Sequence, residues 1–88
     1  MRFERIAYTG HAYARRKRRR VTHDEVKRIL NEPEITHPSE DEPDRMVARG
    51  RLDDGRRGGV VYTERHNRDA DVLIITVLDF ESDEPKDG

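Results

Sequence analysis

Apolar residues recur with two different periodicities along this chain: helical spacing in its first part and strand-like alternation in its second. Thr22 is a strong N-cap residue, and Glu25 stands three positions later, as in a capping box. Three apolar residues then follow at positions i, i+3 and i+4: Val26, Ile29 and Leu30. Pro33 stops the segment. The pattern predicts a helix that begins after Thr22 and ends near Asn31.

A weaker pattern precedes this helix. Residues 3–8 alternate loosely and predict a short edge strand, and Thr9 is a suitable N-cap for a helix over residues 11–19. This first helix has no apolar stripe, because its apolar residues point in three directions: Ala12, Tyr13 and Ala14. We therefore expect it to pack through small residues and arginine stems.

The second half of the chain has the alternation of β-strands. Residues 46–52 and 60–65 predict two strands, joined by a turn and loop over residues 53–59. Residues 67–71 predict the next turn. Residues 72–78 are apolar on both faces, which is typical of a central strand.

Between the two halves lies an acidic connector. Residues 32–44 contain three prolines and six acidic residues, and we interpret them as a loop. The predicted fold class is α+β: two N-terminal helices on one face of a small, mostly antiparallel sheet of three to four strands, in the order (β)ααβββ. Residues 1–80 are predicted to form a single α+β domain, and residues 81–88 an acidic, disordered tail.

Composition limits the classes of protein to consider. The chain is 32% hydrophobic and 42% charged, so its core is small, and it has no cysteine for disulfides or thiolate metal sites. No apolar run is long enough to span a membrane, which favours a soluble, cytoplasmic protein. The net charge of −1 conceals separated blocks, since residues 1–31 carry ten Lys or Arg against three acids. Such blocks create local fields that attract charged ligands.

The strongest candidate for chemistry is the start of the first helix. On a helical projection with His11 at zero, Arg15 lies at about 40°, Arg18 at about −20° and Arg19 at about 80°. One face would thus present an imidazole beside guanidinium groups, an arrangement that suits an anion and a proton transfer. The alternative reading is a solvated run of charges.

The order of these features resembles a known family. The segment from His11 to Arg19 reads His-Ala-x-x-Arg-x-x-x-Arg, a capped helix and a proline follow, and a strand with Thr76 and Val77 closes the pattern. It is similar to a bacterial domain-of-unknown-function family grouped with RelE-like toxins and the barnase/EndoU/colicin-type ribonuclease fold. The resemblance implies that fold and a metal-independent ribonuclease or RNA-binding activity, with a cognate antitoxin as partner.

The resemblance covers roughly residues 6–80 and has two departures. Arg20 stands where the family usually has glycine, so a left-handed conformation at that position would strain the backbone. Glu32 separates Asn31 from Pro33, where an Asn-Pro pair is common.

Metal-independent RNA cleavage requires a base, an acid and cations that stabilise the phosphorane. The candidate catalytic residues are His11, Arg15, Arg19 and Thr76, and the candidate nucleic-acid-binding residues are Arg16, Arg18 and Arg65. His11 is the proton carrier in this scheme, whereas its structural alternative is a bond to a backbone carbonyl. For Thr76, the alternative is a hydroxyl that bonds to a neighbouring backbone group in the sheet.

The other histidines are interpreted as structural: His23 in the first turn of the second helix, His37 in the connector and His66 in a turn. Their spacing indicates no metal site, and no cofactor is expected. Two functions besides a ribonuclease stay open. One is a non-catalytic nucleic-acid-binding or protein-interaction domain, and the other is a structural module whose arginines pair with its own acidic segments.

Overall fold

The computed structural model describes residues 3–40, 44–64 and 70–79, apart from the side chain of Asp79. Two helices and five strands follow one another in the order β1 (Ile6–Tyr8), α1 (Gly10–Arg18), α2 (His23–Asn31), β2 (Ile35–Pro38), β3 (Met46–Arg51), β4 (Arg57–Glu64) and β5 (Val72–Asp79). The α+β class with two N-terminal helices is therefore confirmed. The predicted tail (residues 81–88) and Arg65 lie outside the described residues, as does most of the predicted turn at residues 67–71.

The strands form one mixed sheet in the order β1-β5-β4-β3-β2. Three of its neighbouring pairs are antiparallel, and β1 runs parallel to β5, with Ile6 opposite Val72 and Tyr8 opposite Ile74. As its apolar pattern predicted, β5 is an interior strand. The parallel pair is possible because both helices and three strands lie between β1 and β5 in the chain, which gives ample length for a crossover.

The number of strands was underestimated, because the acidic connector contains β2. Ile35 and Thr36 are β-branched, and their segment pairs antiparallel with β3, where Thr36 faces Ala48. Pro38 ends this strand at the edge of the sheet, where a residue without an N–H is tolerated. The strand β4 also begins at Arg57, within the segment that we interpreted as a loop.

Both helices pack on one face of the sheet and form the core with it. The apolar stripe of α2 is fully buried, with Val26 0%, Ile29 2% and Leu30 3% exposed. The sheet contributes alternate residues of its three inner strands: Ala48, Val60, Tyr62, Val72, Ile74 and Val77. Gly50 lets α2 approach β3, because a Cβ there would lie 3.3 Å from Cγ1 of Ile29.

Two polar side chains fix β1 before it enters the sheet. The Asn31 amide at the end of α2 bonds both backbone groups of Phe3, accepting from its N–H at 2.8 Å and donating to its carbonyl at 3.0 Å. The Asp71 carboxylate accepts from the N–H groups of Glu4 and Arg5 at 3.1 and 3.0 Å. These two backbone bonds and the guanidinium of Arg5 lower the pKa of Asp71 to about 2.

Candidate nucleic-acid interface

Helix α1 begins directly on the interior strand β5. The N–H of Thr9 donates to the carbonyl of Ile74 at 3.0 Å, and the Thr9 hydroxyl donates to the carbonyl of Ile75 at 3.2 Å. The same hydroxyl accepts from the N–H of Ala12 at 3.0 Å, as an N-cap residue does. Ala12 is completely buried, so its small side chain brings the first turn of α1 against the sheet. The predicted N-cap is thus confirmed.

The other end of α1 is closed by a Schellman motif. The N–H of Val21 donates to the carbonyl of Arg16 at 3.0 Å, and the N–H of Arg20 donates to that of Lys17 at 3.2 Å. Arg20 has a φ of 58°, which places it in the left-handed region that usually requires glycine. The strain expected from Arg20 in place of glycine is therefore present in this backbone.

Arg56, in the loop between β3 and β4, completes this end. Its guanidinium donates to the carbonyls of Arg19 and Arg20 at 3.0 and 3.2 Å. Asp54 holds the guanidinium in place through a 2.7 Å bond from Nε of Arg56. A cation on the last carbonyls of a helix also interacts favourably with the helix dipole. Both ends of α1 are thus attached to the sheet and its connections.

The middle of α1 divides its cations between a half-buried side and an exposed side. Arg15, Arg16 and Arg19 are half-buried, on the same side as Ala12, whereas His11 is exposed. The exposed residues in or just after the helix also include Tyr13, Lys17, Arg18 and Arg20. His11 and Arg15 are i, i+4 neighbours, so the structure brings them together on one border of the helix.

Most of these cations lack a carboxylate partner. Within residues 3–40, 44–64 and 70–79, the side-chain ion pairs involve other arginines, such as Arg5 with Asp71 at 3.0 Å and Arg28 with Asp53 at 2.6 Å. We define the cationic surface of α1 as the five residues that make no such pair among the described residues: Arg15, Arg16, Lys17, Arg18 and Arg20. Within the described part of the chain, no carboxylate pairs with these five charges, so they can meet an external anion.

An aromatic cluster adjoins the cationic surface. The hydroxyl of Tyr8 lies 2.9 Å from Nδ1 of His23, and the two share a hydrogen bond. The Tyr8 ring meets the Tyr13 ring edge to face at 6.5 Å, and the guanidinium carbon of Arg16 lies 5.2 Å from the centre of the Tyr8 ring and 5.4 Å from that of the Tyr13 ring. Burial raises the pKa of Tyr8, and the charge of Arg16 partly offsets that shift.

The sequence did not indicate this cluster. Tyr8 ends a strand, Tyr13 lies in α1 and His23 begins α2, so their proximity depends on the angle between three elements. The only local signal was that Tyr13 has no apolar partners at helical spacing.

Thr76 does not join the residues of α1. It is paired with Val61, whereas the neighbouring pair of Val77 and Val60 belongs to the core beneath the helices. Because strand residues alternate between faces, Thr76 lies on the face of the sheet opposite α1. A β-bulge shifts the register here, since Ile75 is the extra residue between the paired positions 74 and 76.

A groove of about 340 Å³ lies between α2 and β3, and Arg28, one of its lining residues, is already paired. Arg28 donates to Asp53 at 2.6 Å and to the carbonyl of Arg51 at 2.8 Å, and the bond to Asp53 raises the pKa of Arg28.

In the part of the chain that the structure describes, no group of three His, Asp or Glu side chains could hold a metal ion. No helix among the described residues is long and apolar enough to cross a membrane.

A family model matches residues 8–79, which include both helices, β2–β5 and the whole cationic surface. The chain belongs to DUF4258, a family described as a domain of unknown function. No curated protein and no solved structure gives a match. The expected membership of a domain-of-unknown-function family is thus confirmed, and every functional assignment rests on the residues themselves.

Proposed function

We propose that this DUF4258 domain is a RelE-like RNA-binding module that holds the phosphodiester backbone of RNA along α1. The observation that carries the proposal is the cationic surface of α1, where five cations lie in or next to one helix without a carboxylate partner among the described residues. Guanidinium groups bind phosphate through two parallel hydrogen bonds, and four of the five cations are arginines.

The attachment of both ends of α1 supports the same proposal. Thr9 fixes the start of the helix to β5, and Arg56 fixes its end. The helix does not have to rearrange to present its charges, so less ordering entropy is lost when the ligand binds. Arg18 is exposed, whereas Arg15 is half-buried. We assign direct phosphate contacts to these two arginines first.

The salt dependence of binding tests this proposal. Five phosphate contacts predict a slope of about −3.5 in a plot of log K against log salt concentration for single-stranded RNA. Arg15→Ala and Arg18→Ala should each reduce the slope by about 0.7. Lys27→Ala is the matched control, since it removes one cation from α2 and should leave the slope unchanged. Fluorescence anisotropy with a labelled oligonucleotide at four salt concentrations measures all three variants. A slope near zero for the unmodified protein would contradict the proposal.

A metal-independent ribonuclease is the second candidate, and His11 favours it. The imidazole is exposed at the start of α1 and borders Arg15, so a bound phosphate and a proton carrier would be neighbours. In this scheme His11 takes the 2′-hydroxyl proton and the 2′-oxygen forms a bond to phosphorus. The bond from phosphorus to the 5′-oxygen breaks, and this oxygen takes a proton from water. Arg15 and Arg19 stabilise the charge on the phosphorane.

Labelled RNA incubated with the protein in the presence of a chelator separates the two candidates. Cleavage that is lost in both His11→Gln and Arg15→Ala supports the ribonuclease. Intact RNA that still binds with a steep salt dependence supports the binding module alone. Thr76→Val tests the remaining catalytic candidate; because Thr76 lies on the opposite face of the sheet, we expect unchanged cleavage. A RelE-like toxin would also have an antitoxin, which co-purification with a protein encoded beside it would reveal.

A further inference from the structure

Tyr13 occupies a position that core packing does not explain. Its side chain is 48% exposed, and it lies on the solvent side of α1, away from the buried Ala12. An aromatic ring left half in water keeps a hydrophobic surface that a ligand can cover. Among the described residues, the other large exposed hydrophobic side chain is Ile35, which lies on the edge strand β2.

Neighbouring groups fix the orientation of this ring. Tyr8 packs against it edge to face at an interplanar angle of 74°, and the guanidinium carbon of Arg16 lies beside both rings, 5.2 and 5.4 Å from their centres. Arg16 is itself held by a 3.2 Å bond from its Nη1 to the carbonyl of Val21. A ring held in this way loses little conformational entropy when it binds a flat partner.

Lys17 marks the accessible side of the site. Its ammonium lies 5.2 Å from the centre of the Tyr13 ring, but the side chain is exposed and makes no ion pair with a described carboxylate. An incoming aromatic group would displace this ammonium from the ring and leave it to contact a nearby phosphate. Arg16, in contrast, is held by its bond to the carbonyl of Val21.

We infer that Tyr13 is a stacking site for one unpaired nucleobase, which makes the cationic surface of α1 selective for single-stranded over duplex RNA. This inference rests on the proposed RNA-binding function. The ligand must combine a flat π-system with negative charge, because the flanking cations would repel a cationic aromatic and attract a nucleotide. Any of the four bases presents such a face, so the site selects strandedness and not sequence.

Three variants test the inference against a single-stranded RNA 12-mer and a duplex of equal charge. Tyr13→Ala should weaken single-strand binding about 5- to 150-fold, and the duplex much less. Tyr13→Phe should keep single-strand affinity, whereas Tyr13→Leu, which retains bulk and helix propensity without a π-face, should lose it. A 2-aminopurine base in the single strand should be quenched by the unmodified protein and by Tyr13→Phe alone.

The outcomes distinguish the stacking site at Tyr13 from the RNA-binding function on which it rests. Equal effects of Tyr13→Ala on both ligands, or full single-strand affinity in Tyr13→Leu, would overturn the stacking site. The proposed function would survive that result if Arg15→Ala and Arg18→Ala still reduce the salt slope. If the unmodified protein binds neither the single-stranded nor the duplex RNA, both the stacking site and the RNA-binding function are wrong.

Discussion

Glu25 is the residue whose removal should most damage the frame that carries α1. It is the single buried charged residue among those described, at 4% exposure. Each of its two carboxylate oxygens accepts a hydrogen bond from the backbone. One oxygen accepts from the N–H of Thr22 at 2.8 Å, which completes the capping box of α2. The other accepts from the N–H of Asp53 at 2.6 Å, in the turn between β3 and β4.

Glu25→Ala leaves two backbone N–H groups without their acceptor. Loss of a cap costs about 1 kcal/mol, and a buried donor left unsatisfied costs about 1–3 kcal/mol. We therefore expect a loss of about 3 kcal/mol in the free energy of unfolding, and for a domain of this size a Tm lower by about 12–24 °C. Glu25→Gln keeps one carbonyl acceptor and should lose about half as much.

Urea unfolding followed by circular dichroism measures these changes. Asp24→Ala is the matched control, because Asp24 is an exposed acid in the same helical turn and interacts mainly with the helix dipole, worth about 0.3–1 kcal/mol. If Glu25→Ala and Asp24→Ala unfold within about 0.5 kcal/mol of each other, the two-sided role of the buried carboxylate is refuted.

Three further substitutions have defined outcomes. Arg20→Gly relieves a non-glycine φ of 58° and should raise the free energy of unfolding by about 1 kcal/mol in the same urea assay. Gly58→Ala should lower it by about 1–3 kcal/mol, because a Cβ there would lie 3.2 Å from the carbonyl oxygen of Leu78. The pKa of Asp71 is lowered from 3.8 to about 2, so its carboxylate stabilises the fold above pH 4 and loses this effect as the pH falls toward 2. Thermal unfolding of Asp71→Asn should therefore start lower at pH 7 and converge with that of the unmodified protein near pH 2.

Local signals predicted the helices well. The capping box depends on Thr22 and Glu25, which are three residues apart, and the N-cap at Thr9 depends on the N–H of Ala12. Such bonds join residues that are close in the sequence, so their spacing alone carries the information. The observed helices begin within one residue of the predicted positions, at Gly10 and His23.

Pairing between distant segments was harder to predict. The acids and prolines around β2 indicate a loop, yet β3 had an unpaired edge, and the backbone bonds of Ile35–Pro38 satisfy it. The position of Thr76 depends on one extra residue, Ile75, because a bulge reverses the faces of all residues after it. A strand in which nearly every residue is apolar gives no alternation from which to read that reversal.

The architecture of α1 explains why a helix with no apolar stripe is stable and also suited to binding. Its stability comes from its ends, through Thr9 and Ala12 on β5 and through Arg56 on its last carbonyls. A helix that is held along its whole length must bury many of its side chains in the core, as α2 does. Because α1 is fixed at its ends, several side chains between them stay exposed: Tyr13, Lys17 and Arg18. Neither attachment requires the charges of Arg15, Lys17 or Arg18, and the proposed phosphate ligand would account for them.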